Sequence, residues 1–220
     1  MYLREVIDIK EYNSSLIKLS VKRGEINFKP GQHFSLSIDQ IFINREYSAY
    51  SGPKDELLDF LIRIVDQGSL STKIKNLKIG EKLYLHGPFG KFLDDINFDL
   101  YKNIICISTG SGIAPYRSLI SNNRSNKIRI IQGIRTSDDI IEEDEFENID
   151  INYCITRNRK MGNSYKGRVT EFILENKNEF IDDKNIFFIC GNKEMIADVY
   201  KILIDNYGIP STRIIAESFF

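Results

Sequence analysis

Apolar and polar positions alternate in short runs over the first 93 residues. Tyr2–Lys10, Ser15–Val21, His33–Ile38, Arg45–Tyr50, Leu57–Val65 and Lys82–His86 are rich in β-branched and aromatic residues. Turn residues separate them: Arg23-Gly24, Lys29-Pro30-Gly31, Ser51-Gly52-Pro53 and the stretch Leu77-Lys78-Ile79-Gly80. Strand-like runs at this close spacing predict a closed antiparallel β-barrel of six strands. One stretch departs from the period of two. Ser69–Leu77 carries Leu70, Ile74 and Leu77 at helical spacing and follows Gly68, so a short helix is expected there.

Beyond residue 93 the period changes. Ile104–Ile107 is a short apolar run of the kind buried in parallel sheets, and Ile128–Gln132, Ile151–Ile155, Ile186–Cys190 and Ile214–Ala216 are strand-like runs. Helical patterns lie between them at Ile113–Ser121, Thr170–Asn178 and Lys193–Asn206. Alternation of strand and helix predicts a parallel sheet with right-handed crossovers. The polar stretch Leu93–Lys102 marks the boundary, giving expected domains of 1–95 and 96–220.

Composition narrows the function classes. The chain has 220 residues, 42% hydrophobic and 28% charged, as expected of a folded globular protein. Lys+Arg number 30 against 31 Asp+Glu, which argues against a nucleic-acid partner. Residues 1–93 hold a small basic excess, compatible with an acidic protein partner but small enough to arise by chance. Apolar runs reach about five residues where a membrane span needs about 20, so no span is expected. Met1–Glu5 contains no apolar stretch of the secretory type. Cys106, Cys154 and Cys190 are far apart, with neither a CxxC pair nor a Cys/His cluster. Reduced thiols in a cytoplasmic protein and no metal centre are expected. His33 and His86 lie in strand-like segments among apolar neighbours and are read as structural.

Four strings carry candidate chemistry. In Arg45-Glu46-Tyr47-Ser48 a strand sets Arg45 and Tyr47 on one face and Ser48 on the other. Arginine offers a planar fork for phosphate oxygens, tyrosine a flat ring for an aromatic cofactor, and serine a short hydroxyl for a ring nitrogen. An ordinary half-exposed strand accounts for the same string. In Asp66-Gln67-Gly68-Ser69-Leu70-Ser71 a glycine and serine precede a helix, which suits a phosphate and equally a plain serine cap. Ser108-Thr109-Gly110-Ser111-Gly112-Ile113-Ala114-Pro115 follows a strand and opens a helix. This context favours a nucleotide turn, although the third glycine of the GxGxxG pattern is missing. Cys190-Gly191-Asn192-Lys193-Glu194-Met195 ends another strand, and in open α/β sheets ligands bind beyond such ends.

The order of these strings, with Gly87-Pro88-Phe89-Gly90-Lys91-Phe92 between the second and third, resembles the ferredoxin–NADP⁺ reductase superfamily. It is most similar to the compact bacterial ferredoxin/flavodoxin–NADP⁺ reductases, from about residue 5 onward. The resemblance implies a Greek-key barrel binding FAD, followed by an NAD(P)-binding α/β domain. Arg45 is then expected at the FAD pyrophosphate, Tyr47 against the isoalloxazine and Ser48 near flavin N5. Ser69, Leu70 and Ser71 would hold the pyrophosphate. Thr109, Gly110, Ser111 and Gly112 would face NADP(H), and Gly191, Asn192 and Met195 would line the same crevice. Cys190 would lie near nicotinamide C4. Glu217 would support proton or hydride transfer, and Phe219 and Phe220 would cover the flavin, with Phe in place of the commoner Tyr or Trp. Arg135, Arg157 and Arg168, with Thr156 rather than an acid beside Arg157, imply a 2′-phosphate site and hence NADPH.

The implied activity is hydride transfer between nicotinamide C4 and flavin N5, joined to a one-electron carrier, ferredoxin or flavodoxin. A monomer is expected. An NAD(P)H-dependent flavin reductase, an electron-transfer subunit of a larger oxidoreductase and a non-catalytic nucleotide-sensing module remain alternatives.

Overall fold

The computed structural model describes residues 1–39, 44–65, 70–94, 97–122, 126–157 and 164–218. Contacts divide the chain into two units. One is Met1–Asp94 with Ala114–Asn123; the other is Asp95–Ile113 with Arg124–Phe220.

The first unit contains β1 (Tyr2–Asn13), β2 (Leu16–Lys22), β3 (His33–Ser37), β4 (Arg45–Ser48), β5 (Leu57–Arg63), α1 (Ser71–Lys75) and β6 (Lys82–Phe89). The strands pair antiparallel in the order β4-β3-β6-β1-β2-β5. A bridge between Ala49 and Phe60, with Tyr50 N–H donating to Asp59 O at 2.8 Å, brings the end of β4 onto β5 and closes the ring. The chain runs β3-β4-β5 between neighbours and then returns β6 to the other side of β3, a Greek-key path. Alternation drives the packing. Ile17, Leu19 and Val21 on β2, Phe34 and Leu36 on β3, and Leu58, Phe60 and Ile62 on β5 are all fully buried. Phe34 sits edge-to-face on Phe28 and Phe60 at 5.9 and 5.7 Å between centroids. α1 adds Ile74 to the same core.

β1 runs three residues past the expected Lys10. Asn13 Oδ1 accepts from both the N–H (2.9 Å) and the hydroxyl (3.0 Å) of Ser15, so the hairpin turns only after Asn13.

Next in the chain come β7 (Asn103–Thr109), a 3₁₀ turn at Gly110–Ile113, and α2 (Ala114–Asn122). The expected helix thus begins one residue late, because Gly110 enters the turn at φ 55°. α2 clusters with the first unit. Arg117 Nη1 lies 2.7 Å from Asp55 Oδ2, and the guanidinium covers the Tyr50 ring at 5.4 Å. The same Asp55 oxygen accepts the Gly52 N–H at 2.7 Å. Gly52 must lack a side chain, since a Cβ there would meet the Ser121 hydroxyl at 2.0 Å.

The second unit continues with β8 (Ile128–Ile134), β9 (Asp150–Ile155), β10 (Tyr165–Lys166), α3 (Val169–Glu175), α4 (Lys177–Phe180), β11 (Asn185–Gly191), α5 (Lys193–Lys201) and β12 (Ile214–Ser218). Its sheet is parallel throughout, in the order β10-β9-β8-β7-β11-β12. The chain moves outward from β7 to β10, then restarts at β11 on the opposite side of β7. That reversal is the switch point beside which α/β proteins bind ligands. One sheet face, carrying Ile105, Ile107, Ile131, Cys154, Phe187 and Ile189, packs with Val169, Ile173, Val199 and Leu203.

Three helix boundaries differ from the periodic pattern for local reasons. α3 stops at Glu175, where the N–H (3.1 Å) and Nδ2 (2.8 Å) of Asn176 both donate to Phe172 O. α4 then forms a separate turn. After Lys201 the α5 helix widens into a π turn over Ile202–Asn206, in which the adjacent Ile202 and Leu203 are both buried. Among the described residues no helix is long and apolar enough to cross a membrane, and no three His, Cys, Asp or Glu form a metal-binding group. A six-stranded antiparallel Greek-key barrel followed by a parallel sheet is the architecture expected, and β10 adds a sixth strand to the five parallel runs expected from the sequence.

Candidate functional site

In the first unit, candidate residues gather on β4 and α1. Arg45 and Tyr47 share a face with Leu36 and Phe34, their register partners on β3, while Ser48 and Glu46 point the other way. Arg45 is exposed, and its Nη1 donates to Asn44 O at 2.8 Å. Tyr47 is half-buried and packs against the barrel core. Burial pushes its phenol up to about 12, with the Arg45 charge opposing, so at neutral pH it stays protonated and able to donate. Ser48 is buried. On α1, Leu70 and Ser71 are buried, and Ser71 Oγ accepts the Val65 N–H at 3.3 Å, tying the helix to the chain leaving β5. Ser69 lies outside the described residues, as do Asp66, Gln67 and Gly68.

In the second unit, register brings five polar side chains into one row. Tyr153 pairs with Gln132, Gln132 with Ser108, Ser108 with Cys190, and Cys190 with Glu217. The row crosses five adjacent strands near their carboxyl ends, on the sheet face opposite the one packed by α3 and α5. Burial, with the Glu217 carboxylate and Cys106 adding to it, holds the Cys190 thiol well above its ordinary range, so it is a neutral group. Burial likewise pushes Tyr153 up to about 12, with Glu143 adding to the effect. Cys190 and Glu217 are the two members of the row that the family resemblance had named as candidates. Ser108, Gln132 and Tyr153 were not singled out as site residues, although Gln132 gave a signal: an amide directly after Ile130-Ile131 in a strand-like run.

The glycines of this region are dictated by close approach. A Cβ on Gly112 would lie 2.3 Å from Cys190 O, so the turn after β7 presses onto the backbone of β11. Gly191 has φ 148°, and a Cβ there would meet Thr109 Oγ1 at 2.3 Å. Thr109 Oγ1 in turn accepts from Asn192 N and Nδ2, both at 3.4 Å. Asn192 Oδ1 caps α5 by accepting the Met195 N–H at 2.8 Å. The string Cys190–Met195 therefore reads as a buried strand end, a flexible glycine, a cap and the third helical residue.

The three arginines follow the carboxyl ends of adjacent strands: Arg135 after β8, Arg157 after β9 and Arg168 after β10. All are exposed. Arg157 N–H donates to Arg135 O at 2.8 Å, so these two stand side by side. Thr156 Oγ1 donates to Ile134 O at 3.3 Å. Arg168 opens α3, with its N–H held by Glu171 Oε2 at 2.8 Å. The nearby Asp139 carboxylate is occupied by the N–H groups of Arg135 and Thr136, both at 3.1 Å. Phe219 and Phe220 lie outside the described residues.

Comparison with known proteins matches two domain families to this chain. Residues 7–93 match the oxidoreductase FAD-binding domain family, and residues 106–201 match the oxidoreductase NAD-binding domain family. The toluate 1,2-dioxygenase electron transfer component of Pseudomonas putida is 27% identical, across 99% of this chain and 67% of that protein. A flavodoxin/ferredoxin–NADP reductase of Buchnera aphidicola subsp. Baizongia pistaciae is 25% identical, across 92% of this chain and 89% of that protein. A crystal structure of a ferredoxin NADP⁺ reductase from Neisseria gonorrhoeae shares the fold with a TM-score of 0.88 at 23% identity, covering 100% of this chain and 98% of that one. With both domain families present in this order on a barrel and a parallel sheet of the matching kinds, the chain belongs to the ferredoxin–NADP⁺ reductase superfamily and is an FAD- and NAD(P)-binding electron-transfer oxidoreductase.

Proposed function

We propose that this protein carries electrons between NADPH and a one-electron carrier protein, ferredoxin or flavodoxin, with residues 1–95 holding FAD and residues 96–220 holding the coenzyme. The observation carrying the coenzyme choice is the set Arg135, Arg157 and Arg168 at the ends of three adjacent strands. NADPH differs from NADH by a 2′-phosphate, which exposed guanidinium groups recognise through paired hydrogen bonds. Beside Arg157 stands Thr156 rather than an acid of the kind that binds an NADH ribose. The carrier is suggested by the flavodoxin/ferredoxin–NADP reductases among the relatives. The toluate dioxygenase component among them favours a second reading, in which the acceptor is the ferredoxin-type centre of an oxygenase system.

The donor set on the barrel fits FAD: an exposed guanidinium for phosphate, a half-buried aromatic ring and a buried hydroxyl on one short strand. Bound FAD would supply the exchange between a two-electron hydride and single electrons. Arg45 would bind pyrophosphate oxygens and Tyr47 would lie flat against the flavin. Ser48 would hydrogen-bond at N5, and Leu70 and Ser71 would shape the phosphate side. The neutral Cys190 thiol would fill space beside nicotinamide C4, and Glu217 beside it would support proton or hydride transfer. Thr109, Gly110, Ser111 and Gly112 would face the coenzyme, with Gly191, Asn192 and Met195 completing the wall. We read the protein as a monomer, and its three buried, unbridged thiols fit a reducing cytoplasm.

Stopped-flow mixing of the FAD-loaded protein with NADPH and with NADH, followed by ferredoxin or flavodoxin, tests the proposal. Bleaching of the flavin band should be faster with NADPH, and the reduced protein should pass electrons to one carrier. Faster reduction by NADH would overturn the coenzyme choice, and transfer to neither carrier would overturn the acceptor. In the same experiment Ser48→Ala should bind FAD normally but slow reduction about fivefold, as expected for one lost hydrogen bond of roughly 1 kcal/mol. Unchanged kinetics would remove Ser48 from the chemistry.

A further inference from the structure

Gln132 lies in the interior of a parallel sheet, only 3% exposed, within the sequence Ile130-Ile131-Gln132-Gly133. An amide buried there without partners would be costly, so its bonds are informative. The Ser108 hydroxyl, itself fully buried, donates to Gln132 Oε1 from the neighbouring strand. Gln132 Nε2 donates to Gly110 O at 2.8 Å. Ser108 thus orients the amide, and the amide grips the first carbonyl of the turn that follows β7. Gly110 has φ 55°, a conformation that glycine enters at little cost and leaves as readily. The bond from Gln132 selects one orientation of its peptide plane.

Planarity extends the effect. In a trans peptide the C=O and the following N–H point in opposite directions. With Gly110 O turned onto Gln132, the Ser111 N–H is directed away from that buried amide. We propose that Gln132 is a positioning residue for the coenzyme: by holding Gly110 O it aims the Ser111 N–H at an anionic group common to NADPH and NADH. The inference rests on the reading that the Thr109–Gly112 turn faces the coenzyme, and it gives Gln132 a role separate from the arginines. Those would choose between coenzymes, whereas Gln132 would serve both.

The test uses the FAD-loaded protein and the variant Gln132→Leu, which keeps the volume and removes both hydrogen bonds. The dissociation constant of NADP⁺ by calorimetry should rise about tenfold, the scale of one ordered donor to an anionic group. The KM for NADPH and for NADH should rise by the same factor, kcat should stay within about twofold, and the flavin absorbance should be unchanged. A lower melting temperature with unaltered NADP⁺ affinity would overturn the proposal and leave Gln132 as a packing residue. A loss confined to NADPH would overturn it too. If the variant does not fold, nitrogen-15 spectra of the wild-type holoenzyme decide. The Ser111 amide resonance should move on saturation with NADP⁺, and a resonance that stays in place while others at the turn move would overturn the aim of that N–H. Wild-type protein that binds neither coenzyme would overturn the coenzyme reading itself. Wild-type binding with an indifferent Gln132→Leu would overturn only the positioning role.

Discussion

Replacing Arg157 by alanine should raise the KM for NADPH by about tenfold to a hundredfold and leave that for NADH nearly unchanged. Loss of a hydrogen bond to a charged group costs about 1.5–3 kcal/mol, and about 1.4 kcal/mol is a factor of ten. Arg157 is the most informative of the three arginines because of its neighbours. Its own N–H is bonded to Arg135 O, so the two backbones are adjacent just past the carboxyl ends of β8 and β9. Asp139, the carboxylate bonded to this segment, is already engaged by two backbone N–H groups. Arg168 starts a helix on the far side of β9. Steady-state kinetics with both coenzymes check the result, and equal losses with NADPH and NADH would sink the 2′-phosphate assignment.

Gly112→Ala is expected to lower stability by about 3 kcal/mol, the upper end for overpacking. The melting temperature should fall by roughly 6–12 °C on the scale of a protein this size. The added methyl would sit 2.3 Å from Cys190 O, 2.8 Å from Cys190 C and 3.1 Å from Gly191 Cα. All three atoms are backbone, and β11 cannot retreat because it is paired on one side with β7 and on the other with β12. The turn must therefore shift, and the Gly110 carbonyl with it, so NADP⁺ affinity should fall along with stability. Gly208→Ala is the matched control. No atom lies within 4 Å of the added methyl there, and only the strain of φ 68° remains, about 1 kcal/mol. Calorimetric melting of the two variants beside the wild type measures the contrast. A Gly112→Ala protein that melts and binds NADP⁺ like the wild type would show that the turn is not held against β11.

The site was legible where its chemistry is local. Arg45, Tyr47 and Ser48 sit on one strand whose period of two separates them onto faces, and Cys190 to Met195 is a strand end, a glycine and a helix cap in consecutive residues. Ser108 and Gln132 were harder to place. Each is an unexceptional polar residue until β7 and β8 pair in a register that sets one against the other. The row from Tyr153 to Glu217 draws one residue from each of five strands, and no spacing in the chain announces it. The helix after the glycine turn follows the second unit's first strand, yet Arg117 and Ser121 pack it onto the Gly52–Asp55 turn of the first.

By itself the sequence determined where the longer strands and helices lie, and that a barrel precedes a parallel sheet. Those outcomes depend on hydrophobic period and turn chemistry, which act over a few neighbouring residues. Strand order, register and the reason for each buried polar group were decided only by tertiary structure. They arise when strands distant in sequence share hydrogen-bond ladders, and only then does a buried amide such as that of Gln132 acquire the partners that make its burial affordable.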